Sequence, residues 1–183
     1  MKNIQLRKHL KPTWKHRWRT FRLRSKLFFL GPGVFVDKNV EIQRYPKNVS
    51  IEGNVVLKEG VRMCACNENA KIEIGENTTV GFHTFLFSSN SIKVGKNCLI
   101  APFVYIVDSD HEIQKGTLIN EQPNKTAPIV IGNDVWLGTG SKILKGVSIA
   151  DGAVIAAGAI LNTNVGENEI WGGIPAKKLG DRK

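Results

Sequence analysis

An aliphatic residue returns at every sixth position from Ile131 to Leu161: Ile131, Leu137, Ile143, Ile149, Ile155 and Leu161. Small and polar residues stand between them, as in IGNDVW, LGTGSK and IADGAV. An amphipathic helix repeats at about 3.6 residues and a half-buried strand at about two, so neither produces this pattern. It is a solenoid period: each hexad supplies a short strand and a turn, and three hexads close a triangular coil around the aliphatic side chains. The same phase recurs at Ile51, Leu57 and Met63, at Ile74, Val80 and Leu86, and at Val94, Ile100 and Ile106. Gly, Asn and Asp in the gaps suit corners that need unusual backbone angles. The pattern predicts an all-β solenoid, a parallel β-helix.

Coil starts follow at Ile51, Ile74, Val94, Ile131 and Ile149. The step from Val94 to Ile131 is far longer than the others, so one loop must leave the solenoid, over about residues 111–127 (HEIQKGTLINEQPNKTA). Long insertions in compact domains are usually functional. Upstream, Val34, Val36, Val40 and Ile42 alternate as in a plain strand before the hexad register begins at Ile51. The GPG at 31–33 marks a boundary. Before it, Trp14, Trp18, Phe21 and Leu23 recur with roughly helical spacing among cations, and His9 and His16 are read as solvated. The expected organisation is a basic amphipathic helical arm over 1–30, the β-helix over 31–165 and a tail over 166–183.

Charge changes the picture only at the arm. The net charge is +10, yet the first 30 residues hold ten Lys or Arg and no acid, while the remainder holds sixteen of each sign. One role for the arm is to cap the first coil, since terminal repeats must hide their core. A second is peripheral contact with an anionic membrane, with Trp and Phe in the interface. Nucleic acid is not expected, because the rest of the chain is neutral and carries no nucleic-acid motif. No apolar run reaches a membrane span and residues 1–30 lack the apolar core of a signal peptide, which predicts a cytoplasmic protein, with the inner face of the membrane as the place an arm contact would put it. Cys64, Cys66 and Cys98 are odd in number, and the first two are too close on a strand for an unstrained bridge, which fits free thiols in a reducing compartment.

The hexad run, the His in VDSDHEI (107–113), the block PIVIGNDVWLGTGSKILKGVSIADGAVIAAGAIL (128–161) and GGIPAKKL (172–179) together resemble the hexapeptide-repeat acyltransferases. The likeness is to the galactoside and maltose O-acetyltransferase branch and its relatives in surface-polysaccharide synthesis. That resemblance implies a left-handed β-helix, a handedness that periodicity alone does not supply. It also implies a homotrimer with active sites between subunits, acetyl-CoA as co-substrate, and direct transfer without an acyl-enzyme. His111, at the head of the extruded loop, becomes the catalytic base; without the resemblance a lone His there reads as structural. Asp108 or Asp110 would hold its other ring nitrogen, and a backbone N–H near Gly138 to Gly140 would meet the oxyanion. By the same resemblance Trp136, Gly138, Thr139 and Ala157 line the cofactor slot, and Lys177 or Lys178 meets phosphate. The tail has KK where relatives often place Arg, so point charges replace a fork.

The acceptor is expected beneath His111, where Ser88, Ser89 and Asn90 would hydrogen-bond a sugar and His83 would touch it; all four serve equally as corner residues. The expected activity is O-acetylation of a carbohydrate hydroxyl. The alternatives are N-acetylation of an amino sugar and a non-catalytic scaffold. No metal is expected, because the repeat region offers only His83 and His111 as imidazole ligands.

Overall fold

The computed structural model describes residues 10–183; the part of the arm call that falls on residues 1–9 lies outside the described residues. The chain winds as a parallel β-helix of the left-handed, hexapeptide-repeat kind. Its three faces are sheets of stacked short strands, two of six strands and one of eight, the last including a terminal hairpin.

Register explains the hexad period. On the first face Leu30, Ile51, Ile74, Val94, Ile131 and Ile149 stack as direct partners. On the second, Val36, Leu57, Val80, Ile100, Leu137 and Ile155 do so. Ile42, Met63, Leu86, Ile106, Ile143 and Leu161 complete the third. Most of these side chains are wholly buried, each contributing on the order of 2 kcal/mol by leaving water. The hexad register therefore begins at Leu30, one coil before Ile51, and not with a separate alternating strand.

Within every coil the first two steps between ladder residues are six positions long, so every irregularity falls between the third face and the next coil. At the first corner Asn54, Asn77, Asn97 and Asp134 take positive φ of 54–61°, as Asn and Asp tolerate. At the second corner the corresponding residues are Asn39, Gly60, His83, Phe103, Gly140 and Gly158. His83 (φ 54°) and Phe103 (φ 60°) are bulky for that backbone, the kind of local strain that concentrates at functional sites.

Both ends are closed. Helix α1, Trp14–Arg24, starts in a capping box in which the His16 ring accepts the Thr13 N–H at 3.0 Å. It buries Leu23, and Leu27 follows into the same core. His16 is not solvated: it stacks on Phe35 with ring centroids 4.3 Å apart. At the far end β1, Glu169–Gly173, pairs with the second face so that Trp171 stands over Ile155, and it turns back through a cis Ile174–Pro175 bond into β2, Ala176–Asp181. Among the described residues no helix is long and apolar enough to cross a membrane.

Candidate active site

The third corner carries the extruded segment. It is not structureless: β3, Ser109–His111, pairs antiparallel with β4, Asn124–Thr126, setting His111 opposite Asn124. Gln122 ties the distal part, donating to the carbonyls of Gln114 at 3.1 Å and Thr117 at 2.9 Å. The neck is fixed by Ala127 N–H donating to the Asp108 carbonyl at 3.0 Å and Gly146 N–H to that of Ala127 at 3.1 Å. His111 is exposed at this neck, and no hydrogen bond to its ring occurs among the described residues. Ile113, Leu118 and Ile119 project from the loop, each more than half exposed.

Neither aspartate holds the His111 ring. The Asp108 carboxylate is completely buried and accepts the Ser88 hydroxyl at 2.8 Å, the Ser89 N–H and the Asn90 N–H at 2.6 and 2.9 Å. Asp110 is exposed and pairs with Lys145 at 3.1 Å, an interaction solvent largely screens. Ser88, Ser89 and Asn90 are thus brought beside the neck by Asp108. Ser88 is itself buried, its hydroxyl also meeting the Lys71 carbonyl at 3.0 Å, whereas Asn90 reaches Thr126 of the hairpin at 3.4 Å.

The second corner forms the other half. Gly138 is enclosed: a Cβ there would lie 2.5 Å from Ala157 N and 2.7 Å from Ala156 C. Gly140 and Gly158, by contrast, have no heavy atom within 4 Å of a Cβ position, so the edge beside them is open. Gly138 N–H donates to Ile155 at 2.7 Å, Gly140 N–H to Pro102 at 3.0 Å and Gly158 N–H to Thr139 at 2.8 Å. Thr139 and Ala157 are exposed, and among the described residues their N–H groups donate no such bond, which leaves both as donors at that corner. The Thr139 hydroxyl is committed to the Pro102 carbonyl at 2.8 Å.

The tail hairpin lies along this corner, Gly172 packing against Ala156 and pairing with Lys177. Lys178 bonds Glu169 at 2.9 Å and Asp181 at 2.8 Å, whereas Lys177 is exposed and has no ion pair among the described residues. Trp136 lines a cavity of about 190 Å³ with Asp134 and Arg182, toward the first corner and away from Thr139.

Between the two halves, the third face presents aromatics that sequence reading missed. Phe85 packs edge-to-face on Phe87 and tilts against Tyr105, each pair at 5.8 Å. Beside them His83 stacks on the half-exposed Phe103 at 5.4 Å, over a Gly60 whose Cβ would strike its ring. The alternation of Phe85 and Phe87 about inward Leu86 was the available signal, since such neighbours must point outward.

Residues 128–163 match the bacterial transferase hexapeptide (six repeats) family. The chain is 29% identical over 154 residues to the putative lipopolysaccharide biosynthesis O-acetyl transferase WbbJ of Escherichia coli (strain K12), covering 76% of this chain and 78% of that one. It is 32% identical over 110 residues to the galactoside O-acetyltransferase of the same strain, covering 60% of this chain, and it spans 54%, about half, of that relative's length. The fold superimposes with a TM-score of 0.80, at 20% identity and 89% coverage of both chains, on a Bacillus cereus N-acyltransferase, AntD, solved with dTDP and coenzyme A. Over the repeat region the chain is thus similar to the bacterial hexapeptide transferases, and across most of its length to curated acetyltransferases of that kind.

Proposed function

We propose that this protein is an acetyl-CoA-dependent O-acetyltransferase that modifies a carbohydrate hydroxyl, with surface-polysaccharide synthesis as its setting. The observation that carries the reading is His111, an exposed imidazole on a braced hairpin neck beside the serine and asparagine corner. Relatives bearing O-acetyltransferase names in lipopolysaccharide and galactoside chemistry supply the substrate class.

Neutral imidazole suits a general base at neutral pH. His111 takes the proton of the acceptor hydroxyl as that oxygen attacks the thioester carbonyl. The C–S bond then breaks, and the proton passes to the departing thiolate. The open edge at Gly140 and Gly158 fits the pantetheine arm, with the N–H groups of Thr139 and Ala157 as donors to its carbonyls or to the developing oxyanion. Lys177, rather than Lys178, is the cation free for phosphate.

Within one chain the third-face strand Tyr105–Val107 lies between the corner from which the His111 hairpin leaves and the corner that carries this edge. A homotrimer, in which the hairpin of one copy meets the open corner of the next, would close the gap and cover Ile113, Leu118 and Ile119.

Release of CoA should be measured against free saccharides, nucleotide sugars, lipid-linked saccharides and amino sugars. A hydroxyl acceptor should give turnover that His111→Ala lowers by about a hundredfold, with acetyl-CoA binding retained. Preference for amines would reassign the protein to N-acetylation. No binding of acetyl-CoA by calorimetry would leave a scaffold, and a monomer by light scattering would remove the shared site.

A further inference from the structure

Helix α1 has two faces with different work to do. At about 100° per residue, Leu23, His16 and Thr20 fall on one side. There Leu23 enters the core, His16 stacks on Phe35, and the Thr20 hydroxyl donates to the Val34 carbonyl at 3.3 Å. These contacts complete the cap on the first coil.

The opposite side is what a cap does not require. Trp14, Trp18 and Phe21, spaced i, i+4 and i+7, form one stripe and are 72%, 52% and 76% exposed. Arg17 and Arg24 flank that stripe on one side, Lys15 and Arg22 on the other, and all four are exposed. Arg22 lies over the Trp18 ring at 4.8 Å and Lys15 over Trp14 at 5.9 Å. The helix contains no carboxylate, and none of its Lys or Arg residues is ion-paired among the described residues. On the Arg17 and Arg24 side a groove of about 570 Å³ runs between the helix and the first coil, floored by Val34 and Phe35.

We infer that this outer face of α1 is a docking surface for an anionic phospholipid bilayer. Trp14, Trp18 and Phe21 enter the headgroup boundary, and the flanking guanidinium and ammonium groups meet lipid phosphates. Aromatic rings between two rows of cations match a plane that is apolar below and anionic at its surface. Duplex nucleic acid would use the cations but gives no reason for a continuous aromatic stripe on the outermost side of a short helix, and single strands, which can stack on aromatics, are a separate arm of the test.

The full chain should be sedimented with phosphatidylcholine vesicles and with vesicles containing phosphatidylglycerol, at low and high salt. Binding is expected only to the anionic vesicles, weakening with salt. Arg17→Glu with Arg24→Glu, and separately Trp14→Ala with Trp18→Ala and Phe21→Ala, should each lower partitioning at least tenfold at unchanged circular dichroism. Brominated acyl chains provide a test on the unaltered protein, by quenching that vanishes in Trp14→Phe with Trp18→Phe. Binding that ignores lipid charge, or an absence of quenching, would overturn the inference. So would a single-stranded RNA oligonucleotide that binds with the same dependence on the aromatic stripe.

Discussion

The buried carboxylate of Asp108 accepts the hydroxyl of Ser88 at 2.8 Å, across the gap between two successive coils. Through Ser89 and Asn90 it also fixes the corner that adjoins the hairpin bearing His111. Asp108 thus ties together the Ser88–Asn90 corner and the base of the hairpin, the two parts of the proposed acceptor region.

Asp108→Asn is the conservative probe of that role. An amide cannot accept from all three donors, and a buried donor left without a partner costs about 2 kcal/mol. A lower melting temperature and a raised KM for the acceptor are expected, with little change in KM for acetyl-CoA. An unaltered acceptor KM in a destabilised protein would confine Asp108 to stability.

Two glycines two residues apart should respond differently. At Gly138 a Cβ meets the backbone of the next coil, so Gly138→Ala forces the stack apart, with an overpacking cost of roughly 2 kcal/mol or more. Gly140→Ala meets no atom, and at φ 68° its penalty is about 1 kcal/mol of backbone strain. Its methyl would, however, stand in the proposed pantetheine slot. Thermal melts should rank Gly138→Ala as the weaker fold, while acetyl-CoA titration should show Gly140→Ala binding poorly for its stability. Normal affinity in Gly140→Ala would place the slot elsewhere.

The tail hairpin carries a pH signature. Lys178, then the Trp171 indole at 2.8 Å and the Gly166 N–H, hold the Glu169 carboxyl at about 2, below its ordinary 4.5. A depressed carboxyl stabilises the folded form above its ordinary value, so this contribution is lost as pH falls from 4.5 toward 2. Asp181 and Glu169 raise Lys178 above its ordinary 10.5, so its contribution is intact below 10.5 and fades only as pH climbs past its folded value. Acid titration of Trp171 fluorescence should show a transition in the lower window that Glu169→Gln removes. A transition that persists in the variant would belong to another group.

Thiol chemistry should be silent. Burial, then the hydrogen bond with Cys64, pushes the Cys66 thiol up to about 12, and burial raises Cys98 as well. Iodoacetamide at pH 8 should consume free cysteine while sparing Cys66, and turnover should survive the treatment. Rapid labelling of Cys66 with loss of turnover would contradict a direct transfer that needs no thiol.

The solenoid was legible because Ile131 to Leu161 repeats without interruption and inward positions tolerate only aliphatic residues. The first coil escaped because Val34 and Val40 fall between Leu30, Val36 and Ile42, and the extra apolar residues imitate strand alternation. Asp108 was misjudged by its nearness in sequence to His111. It lies two positions beyond inward Ile106, so strand parity turns it toward the coil interior and Ser88, a relation written in the pattern but masked by its charge. The competition for Lys178 was not legible, since it depends on a hairpin that brings Glu169 and Asp181 to one ammonium. Nor were the open edges at Gly140 and Gly158, whose neighbours come from coil stacking rather than from adjacent residues.

Two corners of this fold repeat without a spare residue, while the third absorbs every insertion, the Asp108 network and the hairpin of His111. Length can therefore vary at that corner without disturbing the aliphatic ladders. The proposed acceptor region is in this sense a replaceable cassette on a fixed spool, a corner that can diverge among related chains independently of the stability of the coils that carry it.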